Sequence, residues 1–294
     1  MDIVITYVNG QDPVWQQEYS AATGTPVLEK RFRDWGTLPY LLRAIEKNIP
    51  FVRNVYLVVS GESQVPEWVN RDKVRIVLHK DIIPEKFLPV FNSTAIEMFL
   101  HRIPGLDEEY VYFNDDIFPL RQCTHGTFFR DGKAVIGMSR QILRGGNMFR
   151  RHVWRSDMLA RKAAGVGKSL FCLRPQHCCL TFLKSSCERM SDLSEGEIEA
   201  SVTTLRNADN FNVYTFSDYI HHTGKSVNER MSKRHISLGA ASVGTLRSYL
   251  MAPDTDFVCI NDVQMSQERF LSLRSAILGC FSQMFPEKSV YEIL

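Results

Sequence analysis

A short buried strand that ends in two acids is the feature that most constrains this chain. The run Tyr110-Val111-Tyr112-Phe113 is β-branched and aromatic, and Asn114, Asp115 and Asp116 follow it directly. In an open α/β sheet, ligands bind just beyond the carboxyl ends of strands. Adjacent carboxylates repel each other unless a cation joins them, and Mg²⁺ or Mn²⁺ prefers such oxygen ligands together with phosphate. The run therefore indicates a metal-held phosphate site, and a short acidic turn is the alternative that this run alone leaves open.

The rest of the first half alternates strand-like and helix-like segments, which is typical of an α/β sheet. Strands are predicted over 2–8, 55–59 and 74–78. One helix is predicted from Thr37, and a second opens at 92–94, with Thr94 and Glu97 at capping-box spacing. Asp131-Gly132 predicts a hairpin turn. The second half is more helical, and its helices are predicted near 156–164, 194–205, 217–223 and 266–284.

These patterns predict an α/β fold with a more helical C-terminal half.

Composition narrows the function classes. The chain has 294 residues, 44% of them hydrophobic and 23% charged, which are globular values. A net charge of +2 without a marked Lys/Arg run argues against a nucleic-acid-binding protein. The N-terminus lacks the pattern of a signal peptide, and no window approaches 18 uninterrupted apolar residues, so we expect no transmembrane segment. Seven scattered cysteines suit free thiols in a reducing compartment, which favours a cytoplasmic protein.

One cysteine cluster raises the question of zinc. Cys172, Cys178, Cys179 and Cys187 surround His177 in the sequence. Their spacing matches no paired C-x-x-C pattern, and adjacent cysteines are awkward for a tetrahedral site. Core or surface thiols are the favoured interpretation.

The pattern of the acidic strand end recurs late in the chain. The apolar run 257–260 leads into Asn261 and Asp262, so two strands end in Asn-Asp. Two such ends could converge on one cation or one polar substrate. From spacing alone, chance recurrence of a common dipeptide is the simpler explanation.

Several segments together resemble the Stealth family of sugar-phosphate transferases. That family includes bacterial capsule and exopolysaccharide phosphotransferases and the catalytic subunit of the lysosomal N-acetylglucosamine-1-phosphotransferase. The matching segments span most of the chain and fall in four regions. They are Thr6-Tyr7-Val8-Asn9-Gly10-Gln11-Asp12-Pro13; then Arg31-Phe32-Arg33-Asp34, Leu42-Arg43-Ala44-Ile45-Glu46, Pro66-Glu67-Trp68, His79-Lys80-Asp81-Ile82, Phe91-Asn92-Ser93 and Tyr112-Phe113-Asn114-Asp115-Asp116; then Pro175-Gln176-His177 with Arg206; and finally Cys259-Ile260-Asn261-Asp262.

The resemblance implies a Rossmann-like mixed sheet, similar to the glycosyltransferase-A architecture, with a helical C-terminal half. We expect one catalytic unit over residues 1–294. Its α/β part, residues 1–140, would bind a nucleotide-sugar, and the more helical residues 141–294 would complete the active site.

The resemblance also implies a reaction. An acceptor hydroxyl attacks the β-phosphorus of a UDP-sugar, UMP leaves, and a sugar-1-phosphate becomes a phosphodiester. Such transfer depends on charge neutralisation and in-line positioning. The resemblance implies Mg²⁺ or Mn²⁺ as cofactor, UDP-N-acetylglucosamine as the expected donor and a glycan as acceptor, in bacterial surface polysaccharide synthesis.

The resemblance also implies roles for single residues. Asp115 or Asp116, with Asp262, would hold the cation. Arg206 and Arg33 would pair with phosphate oxygens. His177 would accept the proton of the acceptor hydroxyl. The remaining substrate- or nucleotide-binding candidates are Thr6, Tyr7, Asn9, Gly10, Asn114 and Asn261.

Some alternatives stay open. Asp116 could be the base, with His177 only binding phosphate, and Arg31 and Arg33 could be surface charges beside a buried Phe32. A conventional metal-dependent glycosyltransferase would release UDP instead of UMP. Asn9 and Ser60 stand where the family usually has acids, which leaves open a catalytically silent glycan-binding subunit. Peripheral association with a polysaccharide-synthesis complex at the inner face of the membrane is also left open.

Overall fold

The computed structural model describes residues 1–27, 32–142 and 146–293, so Arg31 lies outside the described residues. None of the helices in these ranges has both the length and the sustained hydrophobicity needed to cross a bilayer.

The described residues form strands and helices in alternation. The strands are β1 Asp2–Thr6, β2 Val55–Val59, β3 Val74–Leu78, β4 Glu109–Asn114, β5 Ile117–Pro119, β6 Phe129–Arg130, β7 Lys133–Val135, β8 Met138–Gln141, β9 Cys172–Pro175, β10 Leu180–Leu183, β11 Ser226–Val227, β12 Lys233–Ser237 and β13 Phe257–Asn261. The helices are α1 Pro13–Thr23, α2 Leu38–Asn48, α3 His79–Ile82, α4 Ser93–Glu97, α5 His125–Phe128, α6 Met148–Ala163, α7 Lys184–Leu193, α8 Glu195–Ser201, α9 Tyr214–His222, α10 Val243–Met251 and α11 Gln267–Met284.

The largest sheet has five strands in the order β10-β4-β1-β2-β3. Every residue of β2 is buried, as its continuous apolar sequence predicts. β10 runs antiparallel to β4, with Leu180 opposite Tyr112. A three-stranded sheet, β12-β13-β5, combines a parallel pair with an antiparallel pair. The predicted α/β class with mixed sheets is confirmed.

Two compact units share the chain. The first contains residues 1–4, 77–112 and 125–231, and the second contains residues 5–76, 113–124 and 232–294. Each unit draws on several separate stretches of sequence. The predicted division near residue 140 stays a prediction.

The first unit has an aromatic core around α9. The Phe182 ring of β10 packs edge-on against Phe216 of α9 at 6.4 Å and against Tyr110 of β4 at 5.3 Å. α6 also packs on α9, and there the buried Asp157 carboxylate pairs with Arg161 at 2.8 Å and with His222 at 2.7 Å. The apolar faces of the helices therefore enclose one buried charge network.

The second unit packs α2 and α11 against β5. The Phe281 ring of α11 lies 4.6 Å from the Phe118 ring of β5. The Asn48 side chain, at the end of α2, donates to the Pro119 carbonyl at 2.8 Å. The Arg43 guanidinium of α2 pairs with Glu292 at 2.7 Å, which ties the C-terminal segment to this helix. These contacts hold β5, the strand that follows the early Asn-Asp pair.

Local boundaries differ from the sequence predictions at a few points. β1 ends at Thr6 rather than Val8. The helix near 92–94 is capped by Asn92, whose side chain accepts the Thr94 N–H, and Glu97 takes no part in a capping box. Glu97 instead points into the core, since Tyr112 donates to it at 3.3 Å. The hairpin at Asp131-Gly132 is confirmed, and both residues have positive φ, as a two-residue hairpin turn requires.

Candidate functional site

Three strands end in polar residues within the second unit. β1 ends at Thr6 and is followed by Tyr7, β4 ends at Asn114, and β13 ends at Asn261. All four residues are half-buried, whereas the apolar residues that precede them in the strands are buried. Each strand therefore changes from buried apolar residues to half-buried polar residues at its end, where ligands bind in α/β sheets.

The early and the late Asn-Asp pairs converge. β5 begins directly after Asp116 and runs antiparallel to β13, with Ile117 opposite Cys259. The Ile260 N–H donates to the Asp116 carbonyl at 2.8 Å, and the Cys259 thiol donates to Asp116 Oδ2 at 3.5 Å. The pairing of β5 with β13 thus places Asp116 two residues from Asp262 across the ladder. The recurrence of Asn-Asp in the sequence reflects this shared location.

Negative charge is concentrated beside this ladder. Loss of solvation, followed by the charges of Asp116 and Asp34, raises the pKa of Asp115 to about 7. Loss of solvation also raises the pKa of Asp116 to about 6. The pKa of the Tyr7 hydroxyl is raised by burial and then by Asp34 and Asp115. Because the Asp116 and Asp34 charges act on Asp115, and the Asp34 and Asp115 charges act on Tyr7, these groups share one poorly solvated region.

This region fits a divalent cation. Asp116 Oδ1 and Asp262 Oδ1 are both buried, and neither has a hydrogen-bond partner among the residues that the structure describes. A buried carboxylate oxygen without a donor is costly, and a bound ion would offset that cost. Carboxylate oxygens are the hard ligands that Mg²⁺ and Mn²⁺ prefer. Asp116 and Asp262 would hold the ion, with Asp115 beside them.

A cationic group stands next to the acids. Burial raises the pKa of Asp262, and the Arg33 charge opposes this shift. The Arg33 guanidinium lies over the Phe270 ring at 4.7 Å, and its Nη1 is buried without a hydrogen-bond partner in the described part of the chain. Trp35 packs on the same ring at 4.7 Å and donates to Asp262 Oδ2 at 3.1 Å. An unused guanidinium donor beside a cation site suits a phosphate oxygen.

The loop after β1 is held from two sides. The Gly10 N–H donates to the Phe32 carbonyl at 3.0 Å. A Cβ at position 10 would lie 2.2 Å from that carbonyl oxygen, so only glycine allows this approach. On the other side the Gln64 side chain binds the backbone of Asn9. The loop predicted to hold the nucleotide is therefore fixed by backbone contacts.

Sequence reasoning missed three residues as members of this site. Asp34 was quoted only as part of a motif, yet its charge acts on both Tyr7 and Asp115. Trp35 binds Asp262, and Gln64 fixes Asn9. Asp34 lies next to Arg33 in the motif, which was the one available signal. The roles of Trp35 and Gln64 depend on long-range contacts that no local pattern encodes.

The other two predicted catalytic residues belong to the first unit. His177 is half-buried in the turn between β9 and β10. Arg206 donates to the Ser93 hydroxyl, and its charge acts on Glu97. Burial is the largest influence on the Glu97 carboxyl and raises its pKa to about 7, even though the Arg206 charge lowers it. Arg206 therefore lies beside a carboxyl group whose pKa is close to neutral pH.

Comparison with known proteins identifies the family. The family description "Stealth protein CR2, conserved region 2" matches residues 31–136. An exopolysaccharide phosphotransferase of Lactiplantibacillus plantarum is 30% identical over 332 aligned positions, which cover 99% of this chain and 96% of that protein. The chain belongs to the Stealth family. This membership confirms the expected class of enzyme, a phosphotransferase.

Other similar proteins match over a shorter stretch. The capsular polysaccharide phosphotransferase WcwK of Streptococcus pneumoniae is 45% identical over 125 residues, which are 40% of this chain and 37% of that protein.

Among solved structures, the galactosyltransferase LgtC in complex with donor and acceptor sugar analogues superimposes with a TM-score of 0.45 and 12% identity, over 94% of this chain and 96% of LgtC.

Proposed function

We propose that this Stealth protein transfers a hexose-1-phosphate from a UDP-sugar to a glycan hydroxyl in bacterial surface polysaccharide synthesis. The acceptor oxygen bonds to the β-phosphorus, the bond from that phosphorus to the bridging oxygen breaks, and UMP leaves. The product is a phosphodiester, and N-acetylglucosamine-1-phosphate is the group that we expect to be transferred. The protein would act in the cytoplasm.

One observation carries this proposal. Two buried carboxylate oxygens, on Asp116 and Asp262, and one buried guanidinium nitrogen, on Arg33, lack hydrogen-bond partners within the described ranges. A metal ion would bind the two negatively charged carboxylate oxygens. The diphosphate bound to that ion would accept a hydrogen bond from the Arg33 nitrogen. A cation held there would neutralise the negative charge that develops on the leaving UMP.

The residues of the chain would divide the remaining tasks. Arg33 and Arg206 would pair with phosphate oxygens, and Thr6, Tyr7, Asn9 and Gly10 would line the nucleotide. A carboxylate that ligates a cation has its lone pairs engaged, which leaves His177 as the better base. The homologues' names, exopolysaccharide and capsular polysaccharide phosphotransferase, support a glycan as the acceptor.

The identity of the released nucleotide tests the proposal. Purified protein is mixed with Mg²⁺ or Mn²⁺, UDP-N-acetylglucosamine and a capsular oligosaccharide, and the products are followed by chromatography and ³¹P NMR. UMP together with a new phosphodiester signal is the expected result. UDP without a phosphodiester would make the protein a conventional glycosyltransferase and would overturn the proposal.

A matched pair of variants connects the reaction to the site. Asp116→Asn removes a proposed ligand, and Asp254→Asn changes an exposed acid whose contact with Arg234 is 3.9 Å. We expect the first to abolish UMP release and the second to leave the rate unchanged. Equal rates in the two variants would remove Asp116 from the reaction.

A further inference from the structure

Exposed apolar side chains are clustered in one part of the first unit. Of the 14 large hydrophobic residues that are exposed among the described residues, seven fall within residues 142–171. They are Ile142, Met148, Phe149, Trp154, Val166, Leu170 and Phe171. Scattered apolar residues need no explanation, but a concentration of this kind marks an interaction surface.

Five of these residues lie in the segments at one end of the β8–β9 ladder. Gln141 pairs with Cys172, so Ile142 and Phe171 extend from the same end of the two strands. The Arg174 guanidinium lies over the Phe149 ring at 5.2 Å and donates to Gln141 Oε1 at 3.4 Å. This contact holds the start of α6 beside the end of β8. We call Ile142, Met148, Phe149, Leu170 and Phe171 the apolar tip.

The tip is only partly covered by the protein. Ile142 and Leu170 are 71% and 72% exposed, and Phe171 is 45% exposed. Residues with so much apolar surface in water contribute little to the fold, and burial elsewhere would stabilise them. Their exposure calls for a partner surface that accepts aliphatic and aromatic groups.

Positive charge flanks each apolar piece of the tip. Arg140 precedes Ile142 by two residues, Arg150 follows Phe149, and Lys168 precedes Leu170 by two residues. All three cations are exposed, and none of them forms an ion pair with a residue that the structure describes. The tip therefore presents apolar groups next to three cations without ion-pair partners among the described residues.

The wider segment is strongly basic. Residues 140–171 contain eight Lys or Arg and one acid, a net charge of +7. The remaining residues contain 27 Lys or Arg and 32 acids, a net charge of −5. The one acid of the segment, Asp157, is buried in ion pairs. Some cations further along α6 are neutralised by neighbours, such as Arg151 by Asp209 at 2.8 Å.

We propose that the apolar tip docks this protein on an anionic phospholipid bilayer. Interfacial binding combines buried apolar side chains with Lys and Arg that contact anionic head groups, and the tip supplies both. A soluble acidic polysaccharide would satisfy the cations but would leave Ile142, Leu170 and Phe171 in water. The bilayer is the partner that accounts for both halves of the surface. This proposal is independent of the proposed transfer reaction.

Vesicle flotation tests the docking without substrate or turnover. The full chain is mixed with vesicles of phosphatidylcholine alone, or with roughly 30 mol% phosphatidylglycerol to supply negative charge. We expect the protein to float with the anionic vesicles only, and to be released at high salt, since screening weakens the electrostatic part.

Variants separate the two contributions of the tip. Ile142→Ser with Leu170→Ser removes apolar surface, and Arg150→Glu with Lys168→Glu reverses charge. Each double variant should bind anionic vesicles roughly tenfold or more weakly than the wild type. The matched control is Leu271→Ser with Val290→Ser, which are each 52% exposed in the second unit and should change nothing. Thermal melting checks that all variants fold.

Either of two vesicle results would overturn the proposal: the wild type fails to float with anionic vesicles at low salt, or both tip variants float as well as the wild type. If the wild type fails to float but binds a soluble acidic polysaccharide, the basic surface is assigned to a glycan instead. Loss of transfer activity in any variant has no bearing on these outcomes.

Discussion

The Gln64 side chain hydrogen-bonds both backbone groups of Asn9. Its Oε1 accepts from the Asn9 N–H at 2.7 Å, and its Nε2 donates to the Asn9 carbonyl at 3.1 Å. The same Nε2 donates to Asp12 Oδ2 at 2.7 Å, and Asp12 caps α1 through the Val14 N–H. One buried amide therefore fixes the loop after β1 and the start of the next helix together.

Replacing Gln64 should weaken donor binding more than it slows the chemistry. Gln64→Leu keeps most of the volume but leaves the Asn9 N–H without its partner, at a cost of about 1–3 kcal/mol. The loop would then lose its fixed conformation. We expect the KM for the UDP-sugar to rise by roughly tenfold or more, with a smaller fall in kcat.

Steady-state kinetics with a varied donor concentration measure this split. Gln17→Leu is the control, because Gln17 is exposed on α1 and should leave both constants unchanged. If Gln64→Leu lowered kcat alone, Gln64 would not act by positioning the donor loop.

Gly10→Ala tests the close approach behind the same loop. The added Cβ would lie 2.2 Å from the Phe32 carbonyl oxygen, and backbone cannot move aside as a side chain can. We expect a loss of about 1–3 kcal/mol in the free energy of unfolding, together with weaker donor binding.

Gly61→Ala is the matched control for Gly10. A Cβ there meets nothing within 4 Å, and the Gly61 φ of −162° is open to any residue. Urea denaturation should show Gly61→Ala to be neutral or slightly stabilised, because alanine restricts the unfolded chain. Equal stability of the two variants would mean that the loop tolerates a wider separation from Phe32.

Much of the fold could be predicted because the relevant signals are local. The strands β2, β3 and β13 follow from uninterrupted or alternating apolar runs, and α11 follows from its helical period. The cap of α4 was misassigned because Asn92, Ser93 and Thr94 are all competent caps. Only the tertiary contact of Tyr112 with Glu97 shows that Glu97 is part of the core.

The candidate site was predictable in part for the same reason. The acids at the ends of β4 and β13 stand out in the sequence, but their convergence depends on the antiparallel pairing of β5 with β13. That pairing joins residues more than a hundred positions apart, and no periodicity reports it. The basic segment around α6 was overlooked, because its cations are spaced along helix and loop and do not form a run.

Asp116→Asn should abolish cation binding while preserving the fold. Asparagine keeps the shape of the side chain and removes one charge from a crowded acidic region, so unfolding in the absence of metal should need at least as much heat as in the wild type. Binding of Mn²⁺, measured by titration calorimetry, should weaken by roughly a hundredfold or more, since the ion loses a charged ligand. Asp254→Asn is the control, and unchanged Mn²⁺ affinity in Asp116→Asn would contradict the assigned cation site.

The stability of the first unit should depend on pH through Glu97. Burial raises the pKa of this carboxyl to about 7, above the ordinary pKa of 4.5 that applies when the chain is unfolded. Between these two values the folded state holds a proton that the unfolded state has released, so stability falls as pH rises, by up to about 1.4 kcal/mol per pH unit. Below the unfolded pKa the contribution is constant. Glu97→Gln removes the titration.

Urea denaturation of the wild type and Glu97→Gln at pH 5, 6, 7 and 8, extrapolated linearly to zero urea, measures this effect. The free energy of unfolding of the wild type, relative to that of the variant, should fall from pH 5 to about pH 7 and then level off. Glu62→Gln is the control, because Glu62 is exposed and pairs with the exposed Arg71. A pH-independent difference between the wild type and Glu97→Gln would mean that Glu97 stays ionised, held by Arg206, throughout this range.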